Sequence, residues 1–337
     1  MDTEKEFLRL VSRVANVHHE IQTLGVAIPT LKRLSDSGNT EARTLLASAY
    51  EFGIGVLRDI AQARENYEVA ARFGDTEALY CLGRLLLRIG EFANARTQFE
   101  AATKDGHIRA AFEYAKMLES GQGGPKDEFA AFENYHAAAV QGYVPAVVKG
   151  ALCYRDGIGT ETDVKKMKKL LRVAAGQEDA TACYELGLSL LREADLQEFP
   201  TDAIQWIERA STLGLIDATR YLGEYFALGK HPHTDPQRGL AYLCRAEERG
   251  SARATYLLAV MTALGVGAPK DLYRAFDICK QAADAGVADA EHMLAEMYRR
   301  GDGIEQSPKQ YRYWLERAAN NGHERAIQRL ASISRES

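Results

Sequence analysis

Two stretches of this chain carry the residue types of a phosphate loop. Gly121-Gln122-Gly123-Gly124-Pro125-Lys126 and Gly265-Val266-Gly267-Ala268-Pro269-Lys270 each set glycines ahead of a lysine. Such a loop needs a strand before it and a helix after it, so that backbone amides converge on the anion. No strand pattern precedes either run, and glycine pairs of the same spacing recur at 53/55, 157/159 and 301/303. A feature that returns at even intervals is the turn of a repeating unit, so no nucleotide or other cofactor is expected.

The histidine clusters are His18-His19 and His231-Pro232-His233. Zinc takes four ligands in tetrahedral array. A proline between two histidines gives no pair on one helix face, and no cysteine lies close by, so no metal site is expected. Cys81, Cys153, Cys183, Cys244 and Cys279 are odd in number and unevenly placed, which suits free thiols in a reducing compartment. Cys153 and Cys183 fall in helical segments and read as small packing groups. The basic run Lys165-Lys166-Met167-Lys168-Lys169 opens a helix, with Met167 and Leu171 turned inward and the lysines in solvent. A net charge of -5 argues against a general nucleic-acid binder. The start mixes Asp2, Glu4, Lys5, Glu6, Arg9 and Arg13 among apolar residues and lacks the apolar core of a secretory signal. No stretch approaches the ~20 apolar residues of a membrane span. The cytoplasm and no membrane insertion are therefore expected. No nucleophile, base and orienting group recur at comparable register, so no catalytic residues and no enzyme are expected.

What the sequence does contain is a ruler. Alanine falls at 42, 78, 110, 146, 182, 218, 254, 290 and 326, in steps of 36 residues with one of 32. Four residues before each stands a glycine, except for Glu178. Periodicity of this length marks an array of helical hairpins in which each unit buries its apolar face on its neighbours. Counting Ala42 as place 1, helix A carries Ala42, Leu46, Ala47 and Tyr50 at helical spacing. The glycine turn 53–56 and the capping residue Asp59 lead into helix B, with Ala63, Tyr67, Ala70 and Ala71 on one face. Gly74 ends it. Asp235-Pro236 and Ser307-Pro308 place a cap before a proline at the first helical position. Unit 78–109 shortens its turn to 88–91, and unit 182–217 replaces the glycines with 193–200, so that its helix B starts near Thr201 or Asp202. The domain reading is an N-terminal helical cap at 1–41, with helices over 5–20 and 27–37, and a C-terminal capping helix at 326–337. Between them lie eight repeats: 42–77, 78–109, 110–145, 146–181, 182–217, 218–253, 254–289 and 290–325.

The pattern Ala-x3-Leu-Gly/Ala-x2-Tyr-x2-Gly-x-Gly-Val-x2-Asp, then Ala-x2-Trp/Tyr and Ala-Ala-x2-Gly, resembles the Sel-1-like repeat family across 42–325. That resemblance implies an all-α, right-handed α-solenoid of helix-turn-helix repeats that binds other proteins. It does not extend to the cysteine-rich branch of the family, whose disulfide spacing is not followed here.

With places 1, 5, 6 and 9 committed to the interior, places 3, 7 and 10 form a second stripe on helix A. In related tetratricopeptide proteins this stripe faces the groove. By register it supplies Tyr80, Arg84, Phe112, Lys116, Val148, Leu152, Arg155, Tyr184, Leu188, Leu191 and Tyr256 as the partner-binding groove. Apolar groups bordered by charge, with aromatic and arginine anchors, suit a peptide or amphipathic helix carrying acidic residues. The expected function is a non-enzymatic adaptor or scaffold. The alternative is a dedicated inhibitor, such as an immunity protein that blocks a toxin. In the opposing account of the same stripe, place 3 is partly buried against the preceding unit and its aromatics are core.

Overall fold

The computed structural model describes residues 21–194, 198–229 and 232–336. The helix expected over 5–20, the pair His18-His19 and residue His231 lie outside them. The described residues form helices and connections with no strand. The first unit, Met1–Leu170, contains α1 (Ile21–Asp36), α2 (Thr40–Phe52), α3 (Ile60–Arg72), α4 (Thr76–Arg88), α5 (Phe92–Lys104), α6 (Ile108–Ser120), α7 (Glu128–Val140) and α8 (Val144–Asp156). Helix α9 (Val164–Gly176) carries the boundary to the second unit, Leu171–Ser337. That unit holds α10 (Ala180–Glu193), α11 (Thr201–Thr212), α12 (Ile216–Leu228), α13 (Pro236–Glu248), α14 (Ala252–Leu264), α15 (Leu272–Asp284), α16 (Ala288–Arg300), α17 (Pro308–Asn320) and α18 (Glu324–Glu336). Helix α1 begins six residues earlier than the expected 27.

Local chemistry sets these bounds. Side-chain oxygens of Asn39, Asp75, Asp179 and Ser251 accept the free first-turn amides of A helices, and Asp59, Asp127, Asp235, Asp271 and Ser307 do so for B helices. A left-handed glycine closes five of the A helices, at Gly53, Gly121, Gly157, Gly265 and Gly301.

Packing then repeats place by place. All nine ruler alanines are fully buried. Place 26 of helix B holds Tyr67, Phe99, Tyr135, Leu171, Ile207, Leu243, Cys279 or Leu315, every one at 0% exposure. Opposite it, place 6 of helix A is always small: Ala47, Ala115, Ala151, Ala259, Ala295, or the glycines 83, 187 and 223. A methyl on Gly187 would stand 2.5 Å from Ile207 Cγ1 and 2.8 Å from the Ala203 carbonyl. The hairpin thus closes as a large knob set in a notch.

Successive hairpins are joined at two further points. The A–B turn of one leans on the first turn of the preceding helix B, where Gly123, Gly159 and Gly303 lie against the carbonyls of Phe92, Glu128 and Leu272 with no room for a side chain. The shortened turn between α4 and α5 has no such contact. There Glu91 reaches back to Arg64 of α3 at 2.6 Å. Two pairs of A helices, α2 with α4 and α12 with α14, also approach one another directly. The A helices line the side that the family resemblance makes the hollow one.

Candidate functional site

In the first unit the hollow side opens as a cleft of about 600 Å³ between α2, α4 and the start of α6. Its walls are a chain of neutralised charges. The buried Glu51 carboxylate accepts the Tyr67 hydroxyl at 2.8 Å and pairs with Arg88 at 2.9 Å. Two periods on, Glu119 does the same with Tyr135 (2.6 Å) and Lys149 (3.5 Å). Glu119 gives the buried Tyr135 phenol a partner whose loss would cost about 1–3 kcal/mol, while the Tyr67 hydroxyl also lies 2.7 Å from Ser48 Oγ. Glu77 receives Arg109 at 2.8 and 3.0 Å and lies 3.0 Å from His107 Nε2. Burial pushes the Glu77 carboxyl up, yet His107 and Arg109 together hold it below its ordinary value.

Tyr80 is the centre of this wall. Its ring stacks on His107 at 4.7 Å, and the guanidinium groups of Arg109 and Arg84 lie 4.7 and 5.7 Å from its centroid. Arg88 and Arg109 are each paired to a carboxylate, whereas the exposed Arg84 has none within ion-pairing distance among the described residues. Further along, Lys116 lies 5.6 Å over Phe112 and pairs with Glu113, and Arg155 pairs with Asp156.

In the second unit the hollow side is aromatic. Tyr184 meets Tyr221 edge-on at 5.9 Å, and Tyr221 stacks on Tyr225 at 6.5 Å. Burial pushes the Tyr184 phenol up to about 12, so it is a neutral hydroxyl at physiological pH. Leu188 and Leu191 lie beside it, half-buried. Tyr256 sits under Arg253 at 5.1 Å, and Arg253 pairs with Asp289.

The structure separates the expected groove residues into three groups. Arg84 and Lys116 are exposed. Phe112, Leu152, Arg155, Tyr184, Leu188, Leu191 and Tyr256 are half-buried. Tyr80 and Val148, at 7% and 6% exposure, are core and offer a partner almost no area. In four repeats place 3 rests on the N-terminal cap of the following hairpin, not the preceding one: Thr44 on Asp75, Tyr80 on His107, Phe112 on Tyr143 and His292 on His323. Sequence reasoning missed Arg109, His107, Tyr221 and Tyr225, because they stand outside the chosen stripe and enter the wall from a neighbouring helix.

Other groups with chemical potential are held in structural roles. Burial pushes the thiols of Cys81 and Cys279 up to about 12, which leaves them protonated and poor nucleophiles. Met167 and Leu171 turn inward, and Lys165, Lys166 and Lys169 are exposed. Among the described residues no cluster of three or more His, Cys, Asp or Glu could hold a metal ion, and no helix is long and apolar enough to cross a membrane.

The Sel1 repeat model matches six segments: 40–75, 108–143, 180–215, 216–251, 252–287 and 288–323. The chain belongs to the Sel1 repeat family. A Sel1 repeat protein of Oxalobacter formigenes, solved by crystallography, is 28% identical, with a TM-score of 0.63 over 71% of this chain and 98% of that one. Among curated proteins, the chitin synthase regulator SKT5 of Saccharomyces cerevisiae is 27% identical over 132 residues, 37% of this chain and 18% of that protein. The protein NMB1327 of Neisseria meningitidis is 28% identical over 165 residues, 49% of this chain and 34% of its own length. The matched regions thus span 18% and 34% of these two relatives. Together with the helical hairpins, these findings establish an α-solenoid of the Sel1 and tetratricopeptide type, a fold generally used for protein–protein interaction.

Proposed function

We propose that this protein is a non-enzymatic adaptor whose hollow side binds a peptide or amphipathic helix of a partner protein in the cytoplasm. The observation that carries the reading is the uneven charge balance of the first wall. Arg88, Arg109, Lys116, Lys149 and Arg155 are each neutralised from within, whereas Arg84 stands exposed over an aromatic ring with no carboxylate beside it. Its guanidinium lies over the Tyr80 ring on an exposed side chain, an arrangement that an acidic side chain of a partner completes. In the second unit Tyr184, Leu188 and Leu191 supply a half-exposed apolar ridge for the same class of ligand. We also take 78–109 and 146–181, which the family model does not match, as two further repeats, since each carries a buried ruler alanine and a fully buried place 26.

The test is site-specific photo-crosslinking in the native host, with the reactive residue at 116 or 191 on the hollow side and at 129 or 140 on helix B. Phe129 and Val140, 67% and 74% exposed, serve as the outer-side controls. Crosslinks from 116 that disappear in an Arg84→Glu variant, and from 191 that disappear in a Leu188→Glu variant, support the reading. Crosslinks confined to 129 and 140 refute it. The same captured species, weighed for stoichiometry, separates an adaptor from a dedicated one-to-one inhibitor.

A further inference from the structure

At the C-terminal end two histidines meet face to face. His292 belongs to α16, and His323 is the residue that opens α18; their rings stack at 4.1 Å with 15° between planes. His323 Nδ1 accepts the Ala326 amide at 3.2 Å. It closes the first turn of α18 as Asn39 Oδ1 closes that of α2 at 2.8 Å. An imidazole nitrogen accepts only while it carries no proton. The ring proton then sits on Nε2, 3.5 Å from Asp289 Oδ1. Helix α18 docks through one face. Ala326 is fully buried, and Leu330 and Ile333 pack half-buried on the cluster that holds Trp314, Leu315 and Ala318.

We propose that α18 is held by a proton-sensitive latch: it docks while His292 and His323 are neutral and is released as they take up protons. Protonation has three effects in one direction. It sets two like charges at ring-contact distance, it removes the acceptor of the Ala326 amide, and it places positive charge at a helix N-terminus, where the macrodipole opposes it. The groups around the pair do not offset this. From α16, Asp289 is engaged by Arg253 of α14, and Glu296 by Arg299 and Arg300. Helix α18 brings Arg325 and Glu324, α14 brings Tyr256, and Asn321 at the end of α17 donates to Glu291. Burial, followed by the charge of His323, pushes His292 down; burial, followed by Arg325, pushes His323 down. A lowered folded value means the latch is fully closed above the ordinary histidine pKa of about 6.5 and weakens as pH falls through the folded value.

The same cap occurs inside the array without the same consequence. His107 Nδ1 accepts the Ala110 amide at 3.1 Å, but its Nε2 faces Glu77 at 3.0 Å and its ring stacks on Tyr80. Tyrosine cannot become a second cation. Sensitivity is therefore assigned to the joint between α16 and α18.

Amide hydrogen exchange between pH 7.5 and 5.5, corrected for the intrinsic rate, reads the latch directly in peptides covering 324–336. Peptides covering 108–120 report any general acid loosening. The expected result is an opening constant for α18 that rises by up to about tenfold for each histidine, with α6 unchanged. His323→Asn keeps the acceptor, as Asn39 does in α2, and removes one of the two factors. Adding His292→Tyr removes the other. A wild-type opening constant flat with pH, or a His323→Asn slope equal to wild type, overturns the proposal. If the double variant no longer docks α18 at pH 7.5, the single variant decides alone.

Discussion

Replacing Glu178 with glycine should make the protein more stable. Eight glycines occupy the place four residues before the ruler alanines, all with positive φ, and Glu178 adopts the same left-handed conformation at φ +62. An L-residue there costs about 1–2 kcal/mol. Glycine gives back about 0.5–1 kcal/mol as extra chain entropy lost on folding. The ion pair of Glu178 with Arg209, at 3.6 Å and with the acid 70% exposed, contributes no more than a few tenths, about 0–0.5 kcal/mol. The balance is a gain of about 0.5 kcal/mol for Glu178→Gly. The reverse change in the same unit, Gly214→Glu, meets nothing within 4 Å of its new Cβ, so its loss is backbone strain alone and of similar size. The two variants should therefore differ by about 1 kcal/mol in urea unfolding, seen as midpoints displaced to opposite sides of wild type at an unchanged slope. A Glu178→Gly midpoint at or below wild type, together with a harmless Gly214→Glu, would refute the assignment of this place to left-handed helix termination.

Two further outcomes follow from the packing and the charges. Gly187→Ala forces a methyl into the Ile207 knob and should cost about 1–3 kcal/mol by urea unfolding; a midpoint equal to wild type would remove the knob-and-notch account. Because the Glu77 carboxyl is held low, its contribution is complete above the ordinary value of 4.5 and is lost as pH falls through the folded value. Glu77→Gln should therefore flatten the acid limb of the stability profile, with a loss at pH 7 of under about 1 kcal/mol since the pair is partly exposed; an acid limb as steep as wild type would contradict it.

The hairpins were legible because each depends on residues close in sequence. The alanine row, the capping aspartates and the left-handed glycines act within one turn of their own position, and even Glu178 could be read as the odd member of a row. The hollow side was legible only in part. Periodicity defines the stripe through places 3, 7 and 10, but whether Tyr80 is exposed depends on His107, which arrives from the next hairpin. That contact has no local signature, and so Tyr80 and Val148 were assigned to a surface they do not reach. The role of place 10 could have been found. Glu51 and Glu119 occur in the two units that carry tyrosine at place 26, and in the other six neither residue is present. The co-occurrence of a buried phenol with an acid one helix away is a signal in the sequence itself. Arg109 and Tyr221 gave no such signal, because their neighbours are set by how hairpins stack.

The shortened turn between α4 and α5 gives one seam of the first unit a different character from the rest. At Gly123 and Gly159 a glycine of the turn is instead wedged onto the helix before it, a fit made of shape that dissolved ions cannot weaken. Between the first and second hairpins the corresponding link is Arg64 with Glu91, both about a third exposed, and such a link fades as counterions crowd around it. At the N-terminal edge of the wall that carries Arg84, one link between hairpins therefore loosens with added salt, while the buried cluster of Ala63, Tyr67, Ala70 and Ala78 beneath it does not.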